Sequence, residues 1–410
     1  MKFLVVTYGT EGDARPLAVL CRALMDAGHE AHLLADRATL GAAAALGVPA
    51  TALAGDIRGT LEPHGAISRV IEGKSLSEMT KALANIANSQ AENWLRAIIE
   101  LGQGADAIIV SALAAFVGLS AAEYLRIKAI GLSMIPITPT AAFPHPFIPT
   151  TKLPGFLNRA SHHLVNGVLW RAFRKATNEA RAKVCQLPAR KENWTQHPIL
   201  YGVSPSLLPR PADWPSFAQV CGQLIRPTRD WMPPEALRAF LLAGEPPIYV
   251  GFGSMTGFDR QQLRDAIVGG IAGRRALFYP GWSGIDPSSL PGNFFVLGDT
   301  PHDWLFPRTS LVIHHGGSGT THSAARAGVP SVVVPFAGDQ PFWAERLYRA
   351  GVAARLPNAK SANATTLGRA ITLAQRDEVI SRARALGERM RSEDGPATAV
   401  AFIEQIMASG

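Results

Sequence analysis

Residues 311–321 read Leu311-Val312-Ile313-His314-His315-Gly316-Gly317-Ser318-Gly319-Thr320-Thr321: an aliphatic strand, a glycine-rich turn, then hydroxyl side chains where a helix would begin. A strand that enters a helix through consecutive glycines lets backbone N–H groups approach an anion at the positive end of the helix dipole. Ser318, Thr320 and Thr321 add hydroxyl donors and His315 a ring N–H. The stretch therefore reads as a diphosphate cradle; a tight turn with Ser/Thr caps is the competing reading. Beyond Gly328-Val329-Pro330, a strand at Ser331–Val334 leads into Pro335-Phe336-Ala337-Gly338-Asp339-Gln340. Asp339 and Gln340 then stand at the carboxyl end of the neighbouring strand, where open α/β sheets bind ligands. A carboxylate beside an amide suits paired sugar hydroxyls; helix capping ahead of Pro341 is the alternative.

The same grammar extends outward. Pro247–Phe252 reads as a strand, followed by the loop Gly253–Gly257, a helix and a strand at Ala276–Tyr279. The chain also opens with it: strand Phe3–Thr7, loop Gly9–Asp13, an amphipathic helix from about Pro16 to Ala27 closed by Gly28, and strand Glu30–Leu34. It recurs at Ala107–Val110 and Lys128–Leu132. Buried strands alternating with amphipathic helices predict parallel sheets, hence two α/β units in tandem. Prolines 205, 209, 211, 215, 227, 233 and 234 crowd the chain between them and put the linker near Ile225–Pro234. The expected divisions are 1–224, 235–392 and a final segment, 393–410, helical over about Glu393–Ala408.

Composition excludes several classes. The chain has 410 residues, 47% apolar and 18% charged, which is enough for two packed cores and rules out global disorder. Three scattered cysteines with no CxxC are neither a disulfide framework nor a zinc site, and a reduced, cytoplasmic chain is expected. His162-His163 and His314-His315 are not spaced as metal ligands, and no DxD-like motif occurs. The net charge of +8 favours anionic partners. No RRM, KH or zinc-finger signature points to nucleic acid. There is no GxxxxGK[ST], and the first β-α turn lacks GxGxxG. The N-terminal apolar run is too short for a signal peptide, and the stretch Ala107–Ala122 is too short to span a bilayer. Arg159–Lys191 carries eight Lys/Arg against one acid, with Leu164, Val168, Leu169, Trp170 and Phe173 interleaved. It reads as an amphipathic helix with a solvated basic face, or as a peripheral membrane contact. Pro136–Phe156 is too proline-rich for regular structure. Its Phe143, His145 and Phe147 suit an apolar acceptor-binding loop or interdomain packing. His145 offers a second acid/base group, though as a lone loop His its expected place is the surface.

His315 through Gln340 resembles the nucleotide-sugar signature of the UDP-glycosyltransferase family, glycosyltransferase family 1. There a His is followed 24 and 25 residues later by an Asp/Glu-Gln pair, the spacing of His315, Asp339 and Gln340. Tyr249–Met255, Gly281-Trp282-Ser283, Pro301–Pro307 and Gly338–Trp343 are similar to the sterol glucosyltransferase branch. Gly9–Pro16 resembles the acceptor-side loop of sterol and glycopeptide-aglycone glycosyltransferases. The resemblance implies the GT-B fold, an α/β architecture of two Rossmann-like parallel-sheet domains facing across a cleft. The first domain would bind an acceptor and the second a nucleotide sugar, and the last helix would cross back to the first. It further implies that Ser254, His315, Gly317, Ser318, Gly319 and Thr320 hold the diphosphate, that Asp339 and Gln340 hold the hexose, and that Asp13 is the catalytic base; helix N-capping ahead of Pro16 is the competing reading of Asp13. The implied activity is inverting, metal-independent transfer of a hexose, by default glucose from UDP-glucose, to a hydroxyl of a lipophilic small molecule, with no permanently bound cofactor. A GT-B nucleotide-sugar epimerase and a non-catalytic nucleotide-sugar-binding protein are the alternatives. The chain departs from plant members in two places. Their ribose-gripping Glu corresponds to Ser323, and their base-stacking Trp has no counterpart near Leu297-Gly298. The orienting partner of the base is also replaced, by Ser111.

Overall fold

A computed structural model describes residues 1–57, 59, 76–148, 153–227, 231–253, 258–281, 283–356 and 358–409, and of 76–83 the backbone alone. The strands are β1 (Lys2–Val6), β2 (Glu30–Asp36), β3 (Ala50–Leu53), β4 (Ala107–Val110), β5 (Lys128–Ser133), β6 (Ile199–Tyr201) and β7 (Ala218–Val220), then β8 (Ile248–Gly251), β9 (Ala276–Tyr279), β10 (Phe294–Val296), β11 (Leu311–His314), β12 (Ser331–Val333) and β13 (Ala353–Arg355). They form two sheets, ordered β3-β2-β1-β4-β5-β6-β7 and β10-β9-β8-β11-β12-β13. Every pairing is parallel, Val6 opposite Leu34 and Val110 in the first sheet, His314 opposite Gly251 and Val333 in the second. Apart from Lys2 at the start of β1 and His314 at the end of β11, the central strands are buried and apolar, as strands covered by helices on both faces must be.

Each sheet has one place where the strand order reverses. In the first it lies between β1 and β4, in the second between β8 and β11. Loops leaving such neighbouring strands diverge and open a crevice at their carboxyl ends. The crevices here are bordered by Tyr8–Thr10 and Ser111 in one unit and by Phe252–Gly253 and His315–Gly317 in the other.

The first helix begins earlier than the sequence pattern suggests. It spans Glu11–Asp26, with Thr10 as N-cap and Pro16 inside it. The glycines obscured its start, because Gly9 and Gly12 read as loop while Thr10 supplies the cap. Asp13 therefore sits in the first helical turn rather than in a loop.

The first sheet carries one core beneath the helices Glu11–Asp26 and Gly395–Ala408, where Leu17, Leu20 and Leu24 meet Ala399 and Ile403. A second core lies under the helices Leu76–Leu101, Ala115–Leu125 and Gly155–Ala180. The second sheet is covered likewise on both faces. A further apolar cluster joins the two units: Tyr201, Val203, Leu208 and Trp214 pack with Trp343, Leu347, Leu386 and Met390. The last helix lies on the first unit, tied by His29 Nε2 to Glu404 at 2.8 Å and by Lys128 Nζ donating to the Ile406 carbonyl at 2.7 Å. The chain thus passes between the units twice, and the passages touch. A Cβ on Gly222 would stand 2.8 Å from Gly395 Cα, and one on Gly395 would stand 2.3 Å from the Gln223 carbonyl oxygen. Ser204 Oγ donates to Glu393 at 2.8 Å beside them.

Candidate active site

The carboxyl ends of β11 and β12 build one wall. The helix Ser318–Ala327 starts at Gly317, which offers no side-chain cap. The N–H groups of Ser318, Gly319 and Thr320 have no helical carbonyl behind them. Beside them the His315 ring is held between two glycines. A Cβ on Gly317 would lie 2.5 Å from His315 Nε2, and one on Gly253 would lie 3.1 Å from Cε1. His315 Nδ1 and Thr321 Oγ1 are buried with no hydrogen-bond partner among the described residues. Burial lowers the His315 imidazole to about 4, so at neutral pH it offers one N–H and no charge. A run of donors without acceptors at a helix N-terminus suits an anion such as a diphosphate.

His314 is placed differently. It is fully buried and its Nδ1 accepts from the Gly316 N–H at 3.1 Å, which shapes the turn. His322 also serves the turn, its Nδ1 lying 2.8 Å from the Ser318 carbonyl.

Asp339 is the N-cap of the helix Gln340–Arg349, and its carboxyl accepts from Trp343 Nε1 at 2.7 Å. Burial raises this carboxyl to about 6; the Trp343 bond opposes the rise and the negative charge of Asp13 adds to it. Gln340 is buried, and its Oε1 accepts from the Phe336 and Ala337 N–H groups at 2.7 and 3.1 Å, so its carbonyl ties the preceding loop. That bonding leaves Asp339 as the acidic group facing the cleft. Trp343, one helical turn on, orients it, a partner that the i, i+4 spacing made available in the sequence.

The opposite wall is the first turn of the Glu11–Asp26 helix. Asp13 Oδ2 accepts from the Thr10 N–H at 2.8 Å and from Thr10 Oγ1 at 3.3 Å. Gly9 makes room for this fold-back, since a Cβ there would lie 2.2 Å from Asp13 Oδ2. Burial raises the Asp13 carboxyl above the ordinary range, against the two Thr10 bonds. Arg15, paired with Glu11 at 3.5 Å, sends its charge to His302 and Tyr279 of the second unit. The two walls therefore face each other across the cleft. His302 lies in the Pro301–Pro307 stretch and Tyr279 ends a sequence-predicted strand, but neither was singled out as a site residue; His302 stacks on Phe306 at 4.3 Å.

Ser254 lies outside the described residues. Ser323, where plant members carry a ribose-binding Glu, accepts from Gln223 Nε2 at 3.4 Å. In the proline-rich loop, Phe143 is buried between the units, 5.2 Å from the Phe342 ring, with the Arg346 guanidinium 4.6 Å over its face. His145 is not at the surface as expected for a lone loop His. It is fully buried, its N–H donating to Ser161 Oγ at 2.8 Å and its Nδ1 accepting from Phe147 N–H at 3.1 Å. Burial takes it to about 3, a poor base at any working pH. Phe143 and His145 are packed in by the Gly155–Ala180 and Gln340–Arg349 helices, and both line a cavity with Phe342 and Arg346. Phe147 is half-buried against the His145 ring. Among the described residues no group of His, Cys, Asp and Glu is arranged to hold a metal ion.

The family described as erythromycin biosynthesis protein CIII-like, C-terminal domain, matches residues 279–406. A sterol 3-beta-glucosyltransferase of Emericella nidulans is 32% identical over 436 residues, covering 98% of this chain and 30% of that protein. Sterol 3-beta-glucosyltransferase UGT80A2 of Arabidopsis thaliana is 30% identical over 427 residues, covering 99% of this chain and 66% of that protein. The chain thus spans about a third of the fungal relative's length. The crystal structure of the glycotransferase of kitacinnamycin superposes with a TM-score of 0.70 at 20% identity, covering 98% of both chains. The two facing parallel sheets have the GT-B fold, and the chain belongs to the UDP-glycosyltransferase family, glycosyltransferase family 1.

Proposed function

We propose that this protein transfers a hexose, glucose, from UDP-glucose to a hydroxyl of a lipophilic small molecule, with inversion and without a metal. The observation that carries this is the donor-lined helix start at Gly317–Thr320 with Asp339 beside it and Asp13 across the cleft.

In this mechanism the acceptor oxygen attacks the anomeric carbon from the side of Asp13, and the UDP oxygen leaves on the opposite face. Asp13 takes the hydroxyl proton as the new bond forms. Its raised affinity for protons favours that role, and Thr10 holds one carboxylate oxygen so that the other can point to the acceptor. The departing diphosphate gathers negative charge. The N–H groups of Ser318, Gly319 and Thr320, the Thr320 hydroxyl and the neutral His315 stabilise that charge from fixed positions, which requires no reorganisation during the reaction. Ser254 is assigned to the same diphosphate by family resemblance. Asp339, held by Trp343, accepts from sugar hydroxyls, and Gln340 adds its amide. Among the described residues Asp13 has no oriented His or Asp partner in this role.

The test is UDP release from UDP-glucose, with thymidine diphosphate glucose as the comparison donor, against a panel of sterols, polyketide aglycones and lipid alcohols. Turnover that requires an acceptor supports transfer. A new nucleotide sugar formed without any acceptor identifies an epimerase, and UDP binding without turnover on any acceptor identifies a binding protein. Activity abolished by EDTA and restored by Mn²⁺ refutes metal independence.

A further inference from the structure

The helix Gly155–Ala180 buries Asn158, Ser161, His162, Trp170, Phe173 and Thr177 against the first unit. Its opposite face is not covered by any of the described residues. Phe156 is 77% exposed, Leu164 65%, Val168 48% and Leu157 38%. These are four of the eleven large apolar side chains exposed among the described residues, gathered within thirteen positions. Phe156, Ala160, Leu164 and Val168 follow one another at four-residue steps, so they lie along one line of the helix. The same line continues into Arg171, Arg174 and Lys175, all exposed, and Arg159 flanks it. Over Gly155–Ala180 there are four Arg/Lys and one acid, Glu179, 4.0 Å from Lys175 Nζ near the helix end. An apolar stretch about 18 Å long, at about 1.5 Å per residue, is thus followed by a cationic one on the same side.

An uncovered apolar row costs free energy in water. A row of cations beside it, of which only Lys175 has an acidic neighbour among the described residues, Glu179 at 4.0 Å, selects against a second copy of this face, which would bring like charges together, and for an anionic surface with an apolar layer beneath it. We propose that this face of the Gly155–Ala180 helix docks on an anionic lipid bilayer, Phe156, Leu164 and Val168 entering the headgroup boundary and Arg171, Arg174 and Lys175 pairing with lipid phosphates and carboxylates. The helix start also borders an interdomain cavity of about 320 Å³, lined by Phe143, Pro144, Leu153 and Asn158 and, across the cleft, by Phe342 and Arg346. Docking by this end would hold that opening against the membrane, where a lipophilic alcohol would be dissolved. Binding does not depend on the transfer chemistry proposed above, so it can fail or hold separately.

The experiment is co-sedimentation of the full chain with vesicles of phosphatidylcholine alone and with about one third phosphatidylserine, at low and high salt. The wild type pellets with the anionic vesicles and is partly released by salt, since surface charge pairs are screened. Phe156→Asp/Leu164→Asp weakens binding on the order of tenfold or more, from the apolar area withdrawn. Arg171→Glu/Arg174→Glu removes the preference for phosphatidylserine. All four positions are exposed, so circular dichroism and UDP binding should match the wild type. A wild type that stays in the supernatant, or variants that bind as it does, overturns the proposal. So does light scattering that shows a wild-type dimer split by Phe156→Asp/Leu164→Asp while vesicles are ignored, for then a second copy covers the face.

Discussion

Asp339→Asn should make the protein more stable and a worse enzyme, and the pH dependence of the first effect identifies its cause. The Asp339 carboxyl rises from 3.8 to about 6, chiefly because burial disfavours its charge. Each pKa unit corresponds to about 1.4 kcal/mol, so carrying the charged form costs the fold up to about 3 kcal/mol at neutral pH. Asn keeps an oxygen for the Trp343 bond but loses the attraction of a carboxylate to the start of the Gln340–Arg349 helix, about 0.3–1 kcal/mol. A net gain of about 2 kcal/mol remains. The folded pKa lies above the unfolded one, so the penalty is complete well above pH 6, shrinks as pH falls from about 6 towards 3.8, and is gone below that. Urea unfolding of both proteins should therefore give a stability difference of about 2 kcal/mol at pH 8 that closes near pH 4. In parallel, the KM for UDP-glucose should rise in the variant at all pH values and in the wild type as pH drops through about 6. A variant no more stable at pH 8, or equally more stable at pH 8 and pH 4, refutes the burial argument.

Asp13→Asn should lower turnover by about 10²–10⁴ while leaving UDP affinity by calorimetry unchanged; full turnover removes Asp13 from the mechanism. His315→Ala should lower kcat by about 10²–10³ in the UDP-release assay, the loss of one fixed donor to the leaving group. Gly317→Ala should weaken UDP binding, because its Cβ would press on His315 Nε2 at 2.5 Å; affinity equal to wild type would show that the ring can move without consequence. Phe143→Ala should destabilise the protein by about 3 kcal/mol in urea, as expected for a buried aromatic cut back to a methyl, and a neutral result would return Phe143 to the acceptor pocket.

The parts of the molecule legible in sequence are those where local pattern and final environment agree. The runs at β1, β4, β8 and β11 are apolar because helices cover both faces, so they announce themselves. The short strands β6, β7 and β13 do not, since three residues carry no period and their pairing is decided by the sheet. The glycine turn at 316–319 is readable because donors, glycines and helix start are contiguous. The opposite wall is less so: Asp13 meets Asp339 only because two remote crevices face each other, and no local signal encodes that approach. His145 misled because burial in a proline-rich loop depends on Ser161 and on a helix from the other half of the chain. Gln340 was half legible; its position at the strand end was clear, but the bonds from Phe336 and Ala337 that occupy its carbonyl are tertiary.

The paired passages at Gly222–Gln223 and Gly395 amount to a two-ply seam. Both covalent links between the halves thus run along one line, beside the apolar cluster that holds the halves together. A protease cut through either link alone would leave the halves bound together by the other, and the last helix would keep its seat on the first half.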